Sequence, residues 1–201
     1  YFRYTIEPMG HIETLREMPT GRDVESLYRW SEPLSKYIRY GMERAGLVAQ
    51  EILIARGGKS LDELSGLRII DIACGSDGGD GMTPYFAMLA GLYGAKVKGI
   101  DKFGYKREGH DLYDHIIHDL ATGPLDLKEL TGWAWCDVVT CTLFTGGGIH
   151  TSPALARQLR GKPRMFEKII ETKIKVAAME ILRPKGILAY NFRVIKKQAV
   201  P

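Results

Sequence analysis

The amino-acid sequence predicts an α/β fold: a doubly wound, mainly parallel sheet preceded by an N-terminal helical cap. Three observations predict it. Short apolar runs of strand length alternate along the chain with longer stretches whose apolar residues recur every three or four positions. Leu67–Gly81, LRIIDIACGSDGGDG, is an apolar run that reaches a carboxylate and breaks into glycines and two further aspartates, as a buried parallel strand does when it delivers a loop to a ligand. Each of the first three core strands is expected to stop at an aspartate, Asp71, Asp101 and Asp119 in turn. Residues 1–65 are assigned to the cap and 66–201 to the core, together one structural domain.

Taken in order, residues 2–6 alternate apolar and polar and suit a short edge strand or an ordered arm. A helical turn or two is expected from Asp23 to Trp30. A longer helix is expected from Pro33 to about Arg56, where Gly57-Gly58 stops it. Leu34, Tyr37, Ile38, Gly41, Met42, Ala45, Val48, Ala49 and Ile52 give that helix one continuous face. Ser60 and Glu63 have capping-box spacing, so a short helix is expected to lead into the first core strand. Beyond the glycine loop, Thr83 is the expected N-cap and Pro84 the first-turn residue of a helix that runs to Tyr93 and closes at Gly94. Strands follow at Lys96–Ile100, His115–His118 and Asp137–Thr142. An amphipathic helix is built on Phe166, Ile169, Ile170, Ile174, Ala177, Ala178, Ile181 and Leu182, and after Arg183-Pro184-Lys185-Gly186 a fifth strand spans Ile187–Phe192.

Composition narrows the class without choosing a partner. A chain of 201 residues that is 45% hydrophobic can bury one sizeable core, and a net charge of +4 permits an anionic ligand or nucleic acid without demanding one. The three cysteines, Cys74, Cys136 and Cys141, show no CxxC spacing, and the step from Cys136 to Cys141 turns the two to opposite faces of a strand. A reducing, cytoplasmic compartment is expected, with no membrane partner, since no apolar run approaches the ~20 residues a spanning helix needs. The first residue is Tyr1, so an upstream piece is expected.

The three strand-terminal carboxylates outline a ligand. A carboxylate after the second strand can accept both hydroxyl hydrogens of a ribose, and one after the third can accept from the exocyclic amine of adenine. The glycine loop lacks both GxxxxGK[ST] and GxGxxG, and Asp77 and Asp80 within it would repel a pyrophosphate. An adenine nucleoside without a pyrophosphate fits best.

On these residues the sequence resembles the class I S-adenosylmethionine-dependent methyltransferases, which have a Rossmann-like fold. Asp71-Ile72-Ala73-Cys74-Gly75-Ser76 is similar to the family's first motif, and Val97-Lys98-Gly99-Ile100-Asp101 to its second strand with the ribose-binding acid. His118-Asp119-Leu120 matches the adenine position, Asp137–Thr142 the fourth strand, and Leu182–Leu188 the turn into the fifth. The resemblance covers about residues 66–192. It implies that the loop of Ala73, Cys74, Gly75, Ser76, Asp77 and Gly78 passes the methionine end of S-adenosylmethionine, with Asp71 helping to hold the ammonium group. It further implies that Asp101 holds the ribose, Asp119 and Leu120 the adenine, that Lys102 or Phe103 lies along the base, and that Thr142 to Thr145 border the methyl group and the acceptor.

The departures shape the expectation as well. Ala73 stands where the family usually has glycine, and the acidic loop is longer than the family's. The (N/D)PP(Y/F) motif of amino-methylating nucleic-acid enzymes is missing after strand four, as is a Pro-Cys pair, so a small-molecule acceptor is favoured over RNA or protein. Few residues follow Phe192, so the family's C-terminal hairpin is expected to be missing. His150 is the candidate substrate-facing base. His110, His115 and His118, interleaved with Asp111, Asp114 and Asp119, allow a metal site but equally a solvated segment, and no metal is assigned. Arg29, Arg39 and Arg44 with Tyr28, Trp30 and Tyr40 allow a nucleic-acid surface, but wet arginines on a helix with core-facing aromatics explain them too. Trp133 and Trp135 read as packing. Two other classes stay open: a nicotinamide-dependent oxidoreductase, and a non-catalytic scaffold of the same fold.

Overall fold

A computed structural model describes residues 5–7, 35–76, 83–107, 109–121, 124–141, 163–190 and 193–198. Among these residues seven strands form one sheet: β1 (Thr5–Glu7), β2 (Arg68–Ile72), β3 (Lys96–Asp101), β4 (Asp114–Ile117), β5 (Cys136–Cys141), β6 (Leu182–Tyr190) and β7 (Arg193–Lys196). Their order across the sheet is β1-β7-β6-β5-β2-β3-β4. The stretch from β6 to β4 is parallel throughout, while β7 runs antiparallel to both of its neighbours. The chain proceeds outward from β2 to β3 and β4, then returns to place β5 on the other side of β2. The carboxyl ends of β2 and β5 therefore flank the point where strand order reverses, which is where open α/β sheets bind ligands.

Among the described residues four α-helices clothe the sheet: α1 (Ser35–Arg56), α2 (Tyr85–Leu92), α3 (Leu127–Thr131) and α4 (Pro163–Ile181). One core joins Ala45, Val48, Ala49 and Ile52 of α1 to Phe86, Met88 and Leu89 of α2 and to Ile69, Val97 and Val138 of the strands. The other joins Ile170, Ile174, Ala177, Ala178 and Ile181 of α4 and Leu127 of α3 to Ile70, Ile72, Val139 and Leu188. Alternate residues of β2 thus face opposite layers, as the two-residue period of a strand requires. The fold is the doubly wound, mainly parallel α/β sheet that the sequence predicts.

Several local expectations are corrected. The C-terminal hairpin is not simply missing. β7 turns back against β6, pairing Leu188 with Ile195 and Ala189 with Val194, and β1 from the other end of the chain takes the edge place beyond it. Ser60 and Glu63 do form the capping box, but on a 3-10 turn at Leu61–Leu64 rather than on an α-helix. Thr83 does not cap α2 through its side chain; Pro84 holds the N-cap position. Cys136 and Cys141 both contribute to the α4-side core, Cys136 from the first position of β5, next to where the pairing with β6 shifts register. Ile169 is half exposed and, one heptad from the equally exposed Val176, lies off the buried stripe of α4.

The amino ends of the strands are tied by Asp137. Its carboxylate accepts from the Arg68 amide at 2.8 Å and pairs with Arg183 at 2.5 Å, linking β2, β5 and β6. Beside it the Arg68 guanidinium lies 4.4 Å from the Trp135 ring centroid and 5.8 Å from that of Trp133. Trp133 packs on the core and Trp135 is partly exposed under that cover. At the end of α4, Lys197 donates to the carbonyl of Met179 in the helix's last turn and to that of Leu182, the first residue of β6.

Candidate functional site

At the carboxyl end of β2 the backbone is bent sharply. Ala73 has φ +56° and Gly75 φ +118°. The first value is the left-handed region, where a Cβ is strained, and it is the residue at which the first motif usually has glycine. The second suits glycine alone. With this geometry the Cys74 amide donates to the Ile100 carbonyl at 3.2 Å, and the Gly75 amide reaches the Asp101 carboxylate at 3.0 Å. The Phe103 amide meets the other oxygen of Asp101 at 3.5 Å. Asp101, the last residue of β3, therefore bridges two turns, yet a carboxylate has about four acceptor positions and these bonds use two.

Asp71 lies elsewhere than its sequence position suggests. It is inside β2, one residue short of the strand's end, and is 3% exposed. Opposite it in register on β5 stands Thr140, whose hydroxyl donates to Asp71 Oδ1 at 2.5 Å. Burial pushes the Asp71 carboxyl up to about 7; the Thr140 hydroxyl opposes that rise and the Asp101 charge adds to it. Cys74, also buried, has its thiol pushed well up by desolvation and by the two carboxylates, so it is an S–H group and not a nucleophile.

Asp119 follows β4 by two residues. One oxygen accepts the Ala121 amide at 2.9 Å, and the other lies 3.3 Å from Lys102 Nζ. The Lys102 ammonium also lies 5.6 Å from the Phe103 ring, and that ring is 42% exposed. Leu120 is buried, and its carbonyl accepts from Lys173 of α4 at 2.7 Å. Burial lowers the pKa of Lys173 against the pull of Asp119. His118 is lowered as well, by burial and then by the Lys173 charge, with Asp119 opposing. The His118 amide donates to the Asp101 carbonyl at 2.8 Å, fixing the turn after β4 to the end of β3.

The expected cofactor residues thus divide. Cys74, Gly75, Asp101 and Phe103 are brought together by direct contacts, and Lys102, Asp119 and Leu120 form an adjoining set. Ala73 packs against the α4-side core and Ser76 is buried. Asp77, Gly78, Thr142 and His150 lie outside the described residues, as do the side chains of the N-terminal arginines and aromatics. Among the described residues no group of three or more His, Cys, Asp or Glu side chains is placed to hold a metal. The interleaved segment is otherwise engaged: His110 bonds the Arg107 carbonyl, Asp114 pairs with Lys98, and His115 turns toward Phe103. Among the described residues no helix is long and apolar enough to cross a membrane.

The sequence pattern gives Tyr113 no role, places Gly99 and Thr140 only as members of strands, and presents His115 only as a strand residue and a possible metal ligand. A Cβ on Gly99 would come within 2.7 Å of the Tyr113 ring and 2.9 Å of Cys74 Sγ, so this glycine lets the turn after β2 close onto β4. The signal for Thr140 was available, since it is the polar exception in an otherwise apolar strand end.

No protein-family model matches the chain, and no curated protein matches it in sequence. Among solved structures it is similar to a magnesium protoporphyrin IX methyltransferase from Synechocystis with bound SAH. The TM-score is 0.44 and the identity 18%, with 83% of this chain and 64% of that chain covered. The chain therefore spans just under two thirds of the length of that protein.

Proposed function

We propose that this chain is an S-adenosylmethionine-dependent methyltransferase that binds its cofactor across the carboxyl ends of β2, β3 and β4. The observation that carries the reading is Asp101. It is held by backbone amides from two successive turns while keeping acceptor capacity for two ribose hydroxyls. Three further features support it. Gly75, in a conformation that suits glycine alone, puts no Cβ in the turn after β2, and the Lys102-Asp119 pair stands after β3 and β4, where the adenine edge is expected. The antiparallel β7 beside β6 is the kind of strand with which the family's sheet ends.

S-adenosylmethionine, when bound, supplies a methyl group already activated by its sulfonium. The chain's residues are then left with binding and alignment. Asp101 orients the ribose, Asp119 and Leu120 read the adenine, and Asp71 lies beneath the loop that passes the methionine end, a partner for an ammonium group once ionised. His150 is proposed as the base for an acceptor that must lose a proton. The acceptor is proposed to be a small molecule, because the motifs of nucleic-acid methylation are missing from the sequence and the net charge is modest.

The test is calorimetric titration with S-adenosylmethionine and with S-adenosylhomocysteine, repeated for Asp101→Ala. Micromolar binding by the intact protein that weakens at least tenfold in the folded variant is expected. An intact protein that binds neither compound overturns the reading and brings the scaffold alternative forward.

A further inference from the structure

The turns that follow β2 and β3, and the strand β4 that leads into the third turn, converge on His115. Its Nε2 lies 2.8 Å from the carbonyl oxygen of Phe103, and its Nδ1 lies 2.9 Å from the Tyr113 hydroxyl and 4.0 Å from Cys74 Sγ. A carbonyl can only accept, so the proton sits on Nε2 and the lone pair of the neutral ring on Nδ1. The Tyr113 hydroxyl is then the donor facing that lone pair, while the Cys74 thiol, which donates to the Gly75 carbonyl at 3.4 Å, lies beside it. The Tyr113 and His115 rings meet edge to face at 5.7 Å. Gly99 supplies the space in which Tyr113 and Cys74 come together.

We propose that His115, as its Nε2–H tautomer, is the positioning residue for the nucleoside half of the cofactor site. Phe103 is two residues beyond Asp101, and its own amide meets the Asp101 carboxylate. By holding the Phe103 carbonyl, His115 fixes the turn that presents both the ribose acceptor and the ring expected along the base. Through Cys74 the same imidazole touches the turn whose Gly75 amide binds the other oxygen of Asp101. The carboxylate is therefore clamped from both sides by groups that meet at one ring. This inference rests on the proposed cofactor reading.

Two substitutions separate the two ends of the imidazole. Gln carries an amide nitrogen where Nε2 is and can keep the donor to Phe103. Asn carries its amide oxygen where Nδ1 is and can keep only the acceptor for Tyr113. Titration with S-adenosylhomocysteine and with 5′-methylthioadenosine, which lacks the amino-acid end, is expected to show about tenfold weaker binding of both compounds for His115→Ala and His115→Asn. His115→Gln is expected to stay within about threefold of the intact protein. Affinities that follow thermal stability across the three variants, or an alanine variant that binds as the intact protein does, overturn the proposal and leave the cofactor reading standing. An intact protein that binds neither compound removes both. Long-range proton–nitrogen NMR of the free protein gives an arm independent of any ligand: Nε2–H is expected, and Nδ1–H refutes the clamp.

Discussion

Replacing Asp71 by Asn should stabilise the protein, and do so only when the pH is high enough. Asp71 is buried at the register position of Thr140, and its carboxyl is raised from 3.8 to about 7. The folded state therefore keeps this proton up to about pH 7, whereas the unfolded chain releases it near pH 4. Between those values the folded state binds more protons, so the contribution of Asp71 to stability is full below pH 4 and declines as pH rises, until it is lost above about 7. At 1.36 kcal/mol per unit, a rise of this size is a ceiling of about 4 kcal/mol. Asn presents an oxygen that can still accept from the Thr140 hydroxyl at 2.5 Å, and it has no proton to lose. Urea unfolding of both proteins at pH 4.5, 6, 7 and 8 isolates the effect, because all other titrating groups cancel in the difference. The variant should gain little at pH 4.5 and up to about 4 kcal/mol at pH 8. A pH-independent difference, or a variant less stable than the natural protein at pH 8, refutes the reasoning, since either means that the Thr140 hydroxyl outweighs desolvation. If Asp71 also holds the cofactor's ammonium, the stabilised variant should bind S-adenosylhomocysteine less tightly, the usual exchange of stability for function at a strained site.

Two further outcomes follow from the same turn. Ala73→Gly removes a Cβ from a left-handed residue, which gains about 1 kcal/mol, against a similar entropic loss for glycine. The variant should therefore melt at or above the natural temperature, and a loss beyond about 1 kcal/mol would show that the φ of +56° is not strained. Gly99→Ala forces a carbon to within 2.7 Å of the Tyr113 ring and 2.9 Å of Cys74, an overpacking worth about 1–3 kcal/mol. Thermal melting should show the loss, with weaker binding of S-adenosylhomocysteine beside it, and an unchanged protein would mean that the turns after β2 and β3 are not packed through this position.

What the sequence reveals of this fold and what it hides differ by range of interaction. The runs that become β2, β3 and β5 and the buried stripe of α4 are local patterns, and each is found within a residue or two of where the sequence predicts it. β7 is hidden because four residues, Val194 and Ile195 between two cations, are too few to show a strand's alternation; it pairs with β6 on one side and with β1, from the far end of the chain, on the other. Asp71 reads as a strand-end carboxylate open to a ligand, and only the register with Thr140, 69 residues away, shows that it is buried and hydrogen-bonded beneath the loop. His115 reads as one of several histidines among acids. Its role comes from Phe103, 12 residues upstream, and from a glycine in the neighbouring strand. In each case the missed residue is a polar or absent side chain in an apolar strand, where composition gives no reason for it. Strand order supplies the reason: β2 has β3 on one side and β5 on the other, so Asp71 near its end can meet a partner only across a register that local pattern does not encode. Polar exceptions in predicted central strands are accordingly the positions to pair first when a sheet order is known, and here they lead from Thr140 to Asp71 and from Gly99 to His115, the two groups on which the proposed site's charge and geometry depend.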